Sequence, residues 1–294
     1  MNVASRNGFL LLDKSPGLTS FDSLVKVKKT FSTKKVGHTG TLDKFASGLL
    51  LVLVGWGVKL NSLFADCAKE YTATVFFGEE TDTLDPEGSV VARGEVPSLA
   101  QVESVLDAFR GEILQAPPAY SAVHIDGRRA HELAREGQEI EMKKRPVTIH
   151  ELEILSWTPP LAEMRFSVSA GTYIRSLVRD IALAAGSRAH LSALRRSRIG
   201  LFRLSDIAEA EDMLDALRSF DSGLFQALSH PCFYLDDAAA AGFVHGKPLR
   251  ALLPPGDHAA KYAGVFRKSP PGELLGLLEK QNGEWAYAHV FAHN

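Results

Sequence analysis

Residues 37–50 read GHTGTLDKFASGLL and place one carboxylate, that of Asp43, among glycines, threonines and a histidine, directly before the apolar run LLLVLV. A carboxylate can act as a covalent nucleophile when neighbouring groups keep it ionised and hold it against an electrophilic carbon. Loops positioned by a rigid sheet commonly carry such chemistry. An Asp in this setting also serves as a helix or turn cap, and the residues alone leave both interpretations open.

A positively charged partner for this carboxylate is available in GTYIRSLVRDIALAAG, residues 171–186. The apolar spacing predicts an amphipathic helix, and Arg175 lies where its guanidinium can pair with a carboxylate. Tyr71 and Tyr173 lie in or beside apolar elements, where most aromatic residues belong to the core. In a basic cleft they would instead offer platforms for an unstacked base. His38 fits either a structural hydrogen bond or a role in the site.

Several other chemistries are disfavoured by the sequence. The ten histidines are dispersed and include no HExxH motif, and the two cysteines, Cys67 and Cys232, form no CxxC pair. Neither a metal site nor a disulfide framework is predicted from such spacing. GxSxG and GxxxxGK[ST] are also absent, which argues against a serine hydrolase and a phosphate-binding loop. We therefore expect no metal and no cofactor.

The elements that position these residues follow from hydrophobic periodicity and from Gly, Pro and capping signals. Between two apolar strands, SFDSLVKVKKTF predicts a basic helix capped by Ser20. A turn is expected at Asp126 and Gly127, and Ala- and Leu-rich residues predict further helix after residue 200, to about residue 229. The main strands are predicted at 8–13, 49–54, 70–78, 148–157 and 164–171, and the main helices at 98–110 and 174–185.

The composition is that of a folded protein, and its positive charge is concentrated in two segments. Hydrophobic residues make up 45% and charged residues 23% of the 294 residues, so disorder is not indicated. Nine basic and three acidic residues give residues 1–60 a net charge of +6, and eight basic and one acidic give residues 165–203 a net charge of +7. Two such segments are expected to converge on one basic face, although scattered surface charge is the alternative.

Five motifs, taken together, resemble one family. GFLLLDKSPGLTSFD, GHTGTLDKFASGLLLVLVG, KEYTATVFFGEETDTLDPEG, PPAYSAVHIDGRRAHELAREG and GTYIRSLVRDIA are similar, in order and spacing over about residues 8–200, to the TruB family of bacterial tRNA pseudouridine-55 synthases. The resemblance implies an α+β pseudouridine synthase fold in residues 1–235, with a mixed, mostly antiparallel central sheet and flanking helices. It also implies a small β-rich, PUA-like C-terminal domain in residues 236–294.

The resemblance implies a reaction as well. The family isomerises the uridine in the TΨC loop of tRNA, cutting the N1–C1′ bond and rejoining the ribose to C5, with neither cofactor nor metal. Asp43 matches the nucleophile, and whether it attacks C1′ or C6 stays open. Tyr71 matches the tyrosine that stacks on the flipped base, and Arg175 the arginine that pairs with the carboxylate. Tyr173 and Leu194 match residues that line the base pocket.

Further positions match the parts of the family that hold the RNA. His38 corresponds to the histidine that supports the flipped-out tRNA loop, and Lys14 belongs to a motif that packs under the active-site loop. Residues 120–146 correspond to an insertion that closes over the T-arm and helps to offset the few kcal/mol that base extrusion costs. The insertion contains a set of basic residues, namely Arg128, Arg129, Lys143, Lys144 and Arg145.

Two departures and two rival functions accompany this hypothesis. Lys44 stands where the family commonly has Pro after the catalytic Asp, and DKSPG shifts a proline by one place, so the geometry of the loop is in question.

A tRNA-binding or tRNA-folding chaperone is one rival function, and a guide-RNA-dependent synthase is the other. No apolar run reaches about 18 residues and no signal peptide is evident. We therefore expect a cytoplasmic monomer that has no membrane span and acts on tRNA without a protein partner.

Overall fold

The computed structural model describes residues 7–125, 127–138, 141–208, 212–253, 259–269 and 272–291. Its strands are β1 (Gly8–Lys14), β2 (Val36–Thr39), β3 (Ser47–Val54), β4 (Lys69–Phe77), β5 (Glu79–Thr81), β6 (Val90–Arg93), β7 (Gly111–Gln115), β8 (His124–Ile125), β9 (Arg128–Arg129), β10 (Arg145–Thr158), β11 (Leu161–Val168), β12 (Ala189–Ile199), β13 (Phe202–Arg203), β14 (Cys232–Leu235), β15 (Tyr262–Arg267), β16 (Leu274–Gln281) and β17 (Glu284–Val290). Its α-helices are α1 (Leu24–Thr30), α2 (Ser62–Ala65), α3 (Leu99–Leu106), α4 (Ala130–Arg135), α5 (Ile174–Ala184), α6 (Ser222–Ala227) and α7 (Asp237–Val244).

A nine-stranded mixed sheet forms the centre of the larger part of the molecule. Seven strands follow one another in the order β1-β3-β12-β4-β11-β10-β7, while β2 pairs with β3 and β13 with β12. Neighbouring strands are antiparallel except β12 and β3, which run parallel. The predicted mixed, mostly antiparallel sheet of an α+β protein is confirmed.

Strand β3, SGLLLVLV, is buried along almost its whole length because both of its faces are covered. Its even-numbered residues from Leu50 pack against helix α1. The odd-numbered residues from Leu49 pack into an aromatic-rich cluster on the opposite face. A strand that is buried on both faces has a continuous apolar sequence rather than an alternating one. This packing explains the apolar run that follows the Asp43 loop.

Strand β3 pairs with β2 over one part of its length and with β12 over another, and the loop that carries Asp43 lies where the first partner gives way to the second. The last four residues of β3 pair with β2, and its first two pair with β12. Residues 40–46, which join β2 to β3, therefore lie where β12 takes the place of β2. Gly48 permits β12 to approach β3 closely, because a Cβ at residue 48 would lie 2.3 Å from the backbone oxygen of Arg196. Its φ of +106° also favours glycine.

The pairing of β12 with β3 also brings the two basic segments together. Arg195 and Arg196, in the second basic segment, lie opposite Ser47 and Gly48 of the first. The Arg195 guanidinium reaches across to Asp13, with 2.7 Å between Nη2 and Oδ2. The two basic segments are thus neighbours in the sheet, and one continuous basic face formed by them stays a prediction.

Helix α5 is packed on one face of the sheet and begins beside the Asp43 loop. Every second residue of β4 from Lys69 to Phe77 is buried, and α5 and α3 contribute to the cluster that covers this face. Ser98 caps α3 as predicted, by accepting a hydrogen bond from the backbone N–H of Gln101. Because α5 starts at Ile174, the first turn of the helix carries Arg175 into the interior of the molecule.

The C-terminal part of the chain forms a separate four-stranded sheet in the order β14-β15-β16-β17, with α7 packed against it. Phe225, Phe266 and Phe291 share a hydrophobic cluster with Phe9 and Leu49 of the central sheet. The expected β-rich C-terminal region is confirmed, and its sheet begins at Cys232. Its boundary at residue 235 stays a prediction, and residues 254–258, 270–271 and 292–294 lie outside the described residues.

Two local predictions are wrong. Ser20 does not cap α1, which begins at Leu24, because its hydroxyl binds the backbone of Leu42 instead. The helix predicted up to residue 229 is reduced, in the described residues 201–208 and 212–229, to a 3-10 turn and the short helix α6.

In the predicted turn at 126–127, Gly127 has a positive φ of +84°, and Asp126 lies outside the described residues. No described helix combines the length and the apolar character needed to cross a bilayer.

Candidate active site

The loop that carries Asp43 is fixed on both sides by the segment that follows β1. On one side, the Ser20 hydroxyl donates to the Leu42 carbonyl (3.0 Å) and accepts from the Leu42 N–H (2.9 Å). On the other side, the Lys44 carbonyl accepts hydrogen bonds from the Gly17 N–H (2.8 Å) and from the Lys14 Nζ (3.3 Å). Asp43 is therefore held in place through both of its neighbours.

Lys14 is a buried side chain whose role is to tie this segment together. Its residue is 1% exposed, and its ammonium donates to three backbone carbonyls, those of Ser15, Leu18 and Lys44. Burial lowers the pKa of Lys14, although the nearby Asp43 carboxylate opposes this effect. Lys14 thus contacts the loop that carries Asp43, and its role in holding RNA stays a prediction. Lys44 itself points outward and pairs with Glu87, so its presence in place of proline leaves the loop's backbone bonds intact.

Arg175 holds the Asp43 carboxylate in a two-point ion pair. Its Nε lies 2.9 Å from Asp43 Oδ2, and its Nη2 lies 3.1 Å from Asp43 Oδ1. The same guanidinium donates to the backbone carbonyls of Thr83 (2.8 Å) and Tyr120 (3.0 Å). The Arg175 side chain is 5% exposed, whereas that of Asp43 keeps 37% of its surface. The arginine is thus a rigid support, and the carboxylate remains accessible.

A second carboxylate, that of Asp85, also faces Arg175 and was not found from the sequence. Asp85 Oδ2 lies 3.4 Å from Arg175 Nη1, and Asp85 Oδ1 accepts a 2.6 Å hydrogen bond from the Thr83 hydroxyl. Asp85 lies in the turn-rich stretch TDTLDPEG and is 5% exposed. The stretch around Asp85 suggests only a surface turn, because the residue that Asp85 faces, Arg175, comes from the distant helix α5.

The electrostatic setting raises the pKa of Asp43 above the usual value for a carboxyl group. Burial is the largest cause, and the negative charges of Asp85 and Glu87 act in the same direction. The positive charge and hydrogen bond of Arg175 act in the opposite direction. Arg175 therefore limits a rise in pKa that the site would otherwise impose on its carboxylate.

Asp43 opens onto a cavity of about 320 Å³. Among the residues that line it are Tyr71 from β4, Leu194 from β12 and Tyr173, directly before α5. The Gln115 side chain fixes the backbone of Tyr173 by accepting from its N–H (2.9 Å) and donating to its carbonyl (3.1 Å). Burial raises the pKa of the Tyr173 hydroxyl. The structure thus brings together the predicted site residues from four separate parts of the chain.

A second cavity, of about 460 Å³, adjoins Asp43 on its other side. Its lining includes His38, Arg129, Arg135 and Phe21. The buried Nδ1 of His38 has no hydrogen-bond partner among the described residues. Burial, together with the charge of Arg196, lowers the pKa of His38. Arg135 was not among the predicted site residues, because its position in the motif PPAYSAVHIDGRRAHELAREG is that of a solvent-exposed helix residue.

The remaining predicted basic residues lie outside both cavities. Arg128 is exposed and pairs with Glu136. Lys143, Lys144 and Arg145 are exposed at the start of β10 or just before it. Arg145 lies close enough to influence Tyr173 electrostatically. Their role in closing over a substrate stays a prediction.

This arrangement places an accessible carboxylate in one cavity with two tyrosines, and pairs it with a buried guanidinium. Stacking on a tyrosine and attack by a carboxylate are what a flipped nucleoside would need. Among the residues that the structure describes, no group of three His, Cys, Asp or Glu side chains is placed to hold a metal ion.

Comparison with known proteins identifies the family. A family model for the N-terminal domain of TruB family pseudouridylate synthases matches residues 28–174, and one for the C-terminal domain of tRNA pseudouridylate synthase B matches residues 175–260. A tRNA pseudouridine synthase B of Borreliella burgdorferi (strain ZS7) is 46% identical over 225 residues, covering 73% of this chain and 80% of the relative. The chain belongs to the TruB family of pseudouridylate synthases.

Other members of the TruB family match along the full length. A tRNA pseudouridine synthase B of Corynebacterium efficiens is 36% identical and covers 100% of this chain and 99% of its own. Among solved structures, one of a Cbf5–Nop10–Gar1 complex has a TM-score of 0.70 and 25% identity, and covers 99% of this chain and 87% of the other. The pseudouridine synthase fold is thereby confirmed, and the protein is an enzyme of that class.

Proposed function

We propose that this TruB family enzyme converts uridine 55 in the TΨC loop of tRNA to pseudouridine, with Asp43 as the nucleophile. Full-length relatives are named tRNA pseudouridine synthase B. The single observation that carries the assignment of the nucleophile is the Asp43–Arg175 pair at the edge of a tyrosine-lined cavity. A binding protein would have no need to place an accessible carboxylate on a buried guanidinium.

The proposed reaction keeps every atom of the base. Asp43 attacks either C1′ of the ribose or C6 of the uracil, the N1–C1′ bond breaks, and C1′ joins C5 after the base has turned. The bond between Asp43 and the substrate then breaks, which regenerates the free carboxylate. The proton on C5 leaves to solvent while N1 gains one, so neither oxidant nor reductant is consumed. Tyr71 stacks on the base and assists the removal of the C5 proton. Tyr173 and Leu194 hold the base in the cavity.

The proposed substrate is held by its backbone. Extruding the uridine costs a few kcal/mol of stacking, which phosphate contacts from the two basic segments offset. His38, in the adjoining cavity, supports the opened loop, and residues 120–146 close over the T-arm with Arg128, Arg129 and the Lys143–Arg145 cluster. The enzyme acts in the cytoplasm as a monomer without a protein partner.

The test is to incubate purified protein with a transcribed tRNA and no other component, and to map pseudouridine in the product. A single pseudouridine in the T-loop supports the proposal. Tight binding without product would instead indicate a binding or folding role. Activity that appears only after addition of a guide RNA would indicate a guide-dependent enzyme.

A further inference from the structure

Two buried cations line the Asp43 cavity and have no place in the reaction described so far. Lys69, the first residue of β4, is 8% exposed, and Arg196 of β12 is 1% exposed. Lys69 projects from the same face of β4 as Tyr71, since alternate residues of a strand share a face. Arg196 lies opposite Tyr71 in the register of β4 and β12. Both cations therefore lie beside the residue proposed to stack on the base.

These cations are bound by neutral groups rather than by acids. Lys69 Nζ donates to the Ala65 carbonyl (3.1 Å), and Arg196 donates from Nε to the Leu49 carbonyl (2.8 Å) and from Nη2 to the Gly40 carbonyl (3.0 Å). Within the described part of the chain, neither forms an ion pair with Asp or Glu. An ammonium has three N–H donors and a guanidinium five, so both retain donors for a further acceptor.

The two side chains converge at the loop that carries the nucleophile. A Cβ added to Gly40 would lie 3.4 Å from Arg196 Nη1 and 3.8 Å from Lys69 Cε. Burial and the charge of Arg196 lower the pKa of Lys69, while the exposed Asp66 and the Cys67 thiol oppose this effect. Asp43, the carboxylate of the same cavity, is already engaged by Arg175. Two buried like charges at one cavity edge are costly unless an anion joins them.

We propose that Lys69 and Arg196 bind the oxygens of a phosphodiester that flanks the target uridine. This inference rests on the proposed function, because it takes RNA as the substrate. If Asp43 acts on the ribose or base of the flipped nucleotide, then a phosphate attached to that ribose must lie within a few ångströms of the site. The lone anionic group of a uridine nucleotide is its phosphate, and that is the group that two cations would select. The pair would hold the ribose in register with the nucleophile.

The test is a double-mutant cycle between the protein and the RNA. Wild type and Lys69→Met are each assayed on T-arm stem-loops that carry either a natural phosphodiester or an uncharged methylphosphonate at a linkage flanking the target uridine. The two flanking linkages are tested in turn, and the adjacent 2′-hydroxyl is methylated in both members of each pair so that the neutral linkage is stable. Rates are compared as kcat/KM, and affinities as Kd.

We expect each single change to lower kcat/KM about 10- to 100-fold, the range of a charge-assisted hydrogen bond. Combining Lys69→Met with the methylphosphonate at one of the two linkages should cost little more than either change alone, because both remove the same contact. Fully additive losses at both linkages would overturn the inference. Lys69→Arg, which keeps the charge, should retain most of the activity. Lys268→Met, which alters an exposed lysine directly after β15, should behave as wild type.

Thermal melting separates this role from a purely structural one. Replacing a buried ammonium that has no carboxylate partner by the uncharged, slightly shorter Met should leave Tm unchanged or raise it, whereas removal of a lysine that served only the fold would lower Tm. Failure of this inference can also be distinguished from failure of the proposed function. If wild type binds the stem-loop but forms no pseudouridine, the proposed function fails, and the same cycle read in Kd still decides whether Lys69 contacts a phosphate.

Discussion

Replacement of Arg175 by Met tests the support on which the nucleophile rests. The substitution keeps an unbranched apolar stem but removes the guanidinium, with its positive charge and all of its donors. In the variant, the carboxylates of Asp43 and Asp85 face each other without the guanidinium that contacts both. The carbonyls of Thr83 and Tyr120 lose their donor as well. The consequences therefore reach both the fold and the chemistry.

The magnitude follows from the burial of the two partners. Removing one member of a buried ion pair typically costs about 3–5 kcal/mol in stability. Asp43 keeps 37% of its side-chain surface, so water compensates part of the loss and about 3 kcal/mol is expected. If the same interaction positions the nucleophile in the transition state, kcat falls about 100-fold, since about 1.4 kcal/mol corresponds to a factor of ten.

The assay is single-turnover release of tritium from C5-labelled uridine in tRNA, measured as a function of pH. Loss of a neighbouring positive charge makes a carboxylate harder to ionise, so the pKa of Asp43 rises further. Since the nucleophile must be ionised, the acidic limb of the rate profile should move to higher pH. Arg175→Lys keeps the charge but not the two-point geometry, so its rate should fall with a smaller shift of that limb.

A matched control lies one turn further along α5. Arg179 pairs only with its neighbour Asp180 in the described structure, and Arg179→Met should leave the acidic limb of the pH profile where it is in wild type. A wild-type rate and an unshifted acidic limb in Arg175→Met would refute the proposal that the guanidinium positions and ionises the nucleophile.

Three further substitutions test other parts of the site. Asp85→Asn removes a negative charge that raises the pKa of the nucleophile, so the acidic limb should move to lower pH; an upward shift would contradict this. Gly48→Ala should lower the free energy of unfolding in urea by about 2–4 kcal/mol, because its Cβ would meet backbone at 2.3 Å. The control Gly111→Ala, at a residue with a positive φ but open space around it, should cost about 1 kcal/mol. Equal losses would argue against a close approach of the β12 backbone to Gly48. Ser20→Ala removes both hydrogen bonds to Leu42 and should reduce kcat about tenfold with little change in KM; an unchanged kcat would show that the loop holds its place without them.

The residues that were predicted from the sequence are those with strong local signals. Asp43 is marked by its glycine-flanked loop and the apolar strand behind it, and Arg175 by the helix that begins beside it. The strands β1, β3 and β4 follow from their apolar or alternating patterns. Where periodicity and neighbouring turn residues agree, local sequence determines the element, and the family motifs supply the order in which the elements meet.

The residues that were missed depend on long-range packing. Lys69 and Arg196 read as ordinary strand cations, and their burial follows only once β12 lies between β3 and β4. Asp85 reads as a turn residue, because nothing in its own stretch shows that Arg175 packs against it. Ser20 has the sequence of a helix cap, but a backbone group 22 residues away takes its hydroxyl.

The most direct measurement of the central claim is tritium release by Asp43→Asn. The substitution is isosteric, so tRNA binding should stay within about threefold of wild type while release of tritium from C5 falls to background. Mass spectrometry of the protein before and after the assay ensures that the asparagine has not deamidated to aspartate. Turnover by intact Asp43→Asn would contradict the assignment of this carboxylate as the nucleophile.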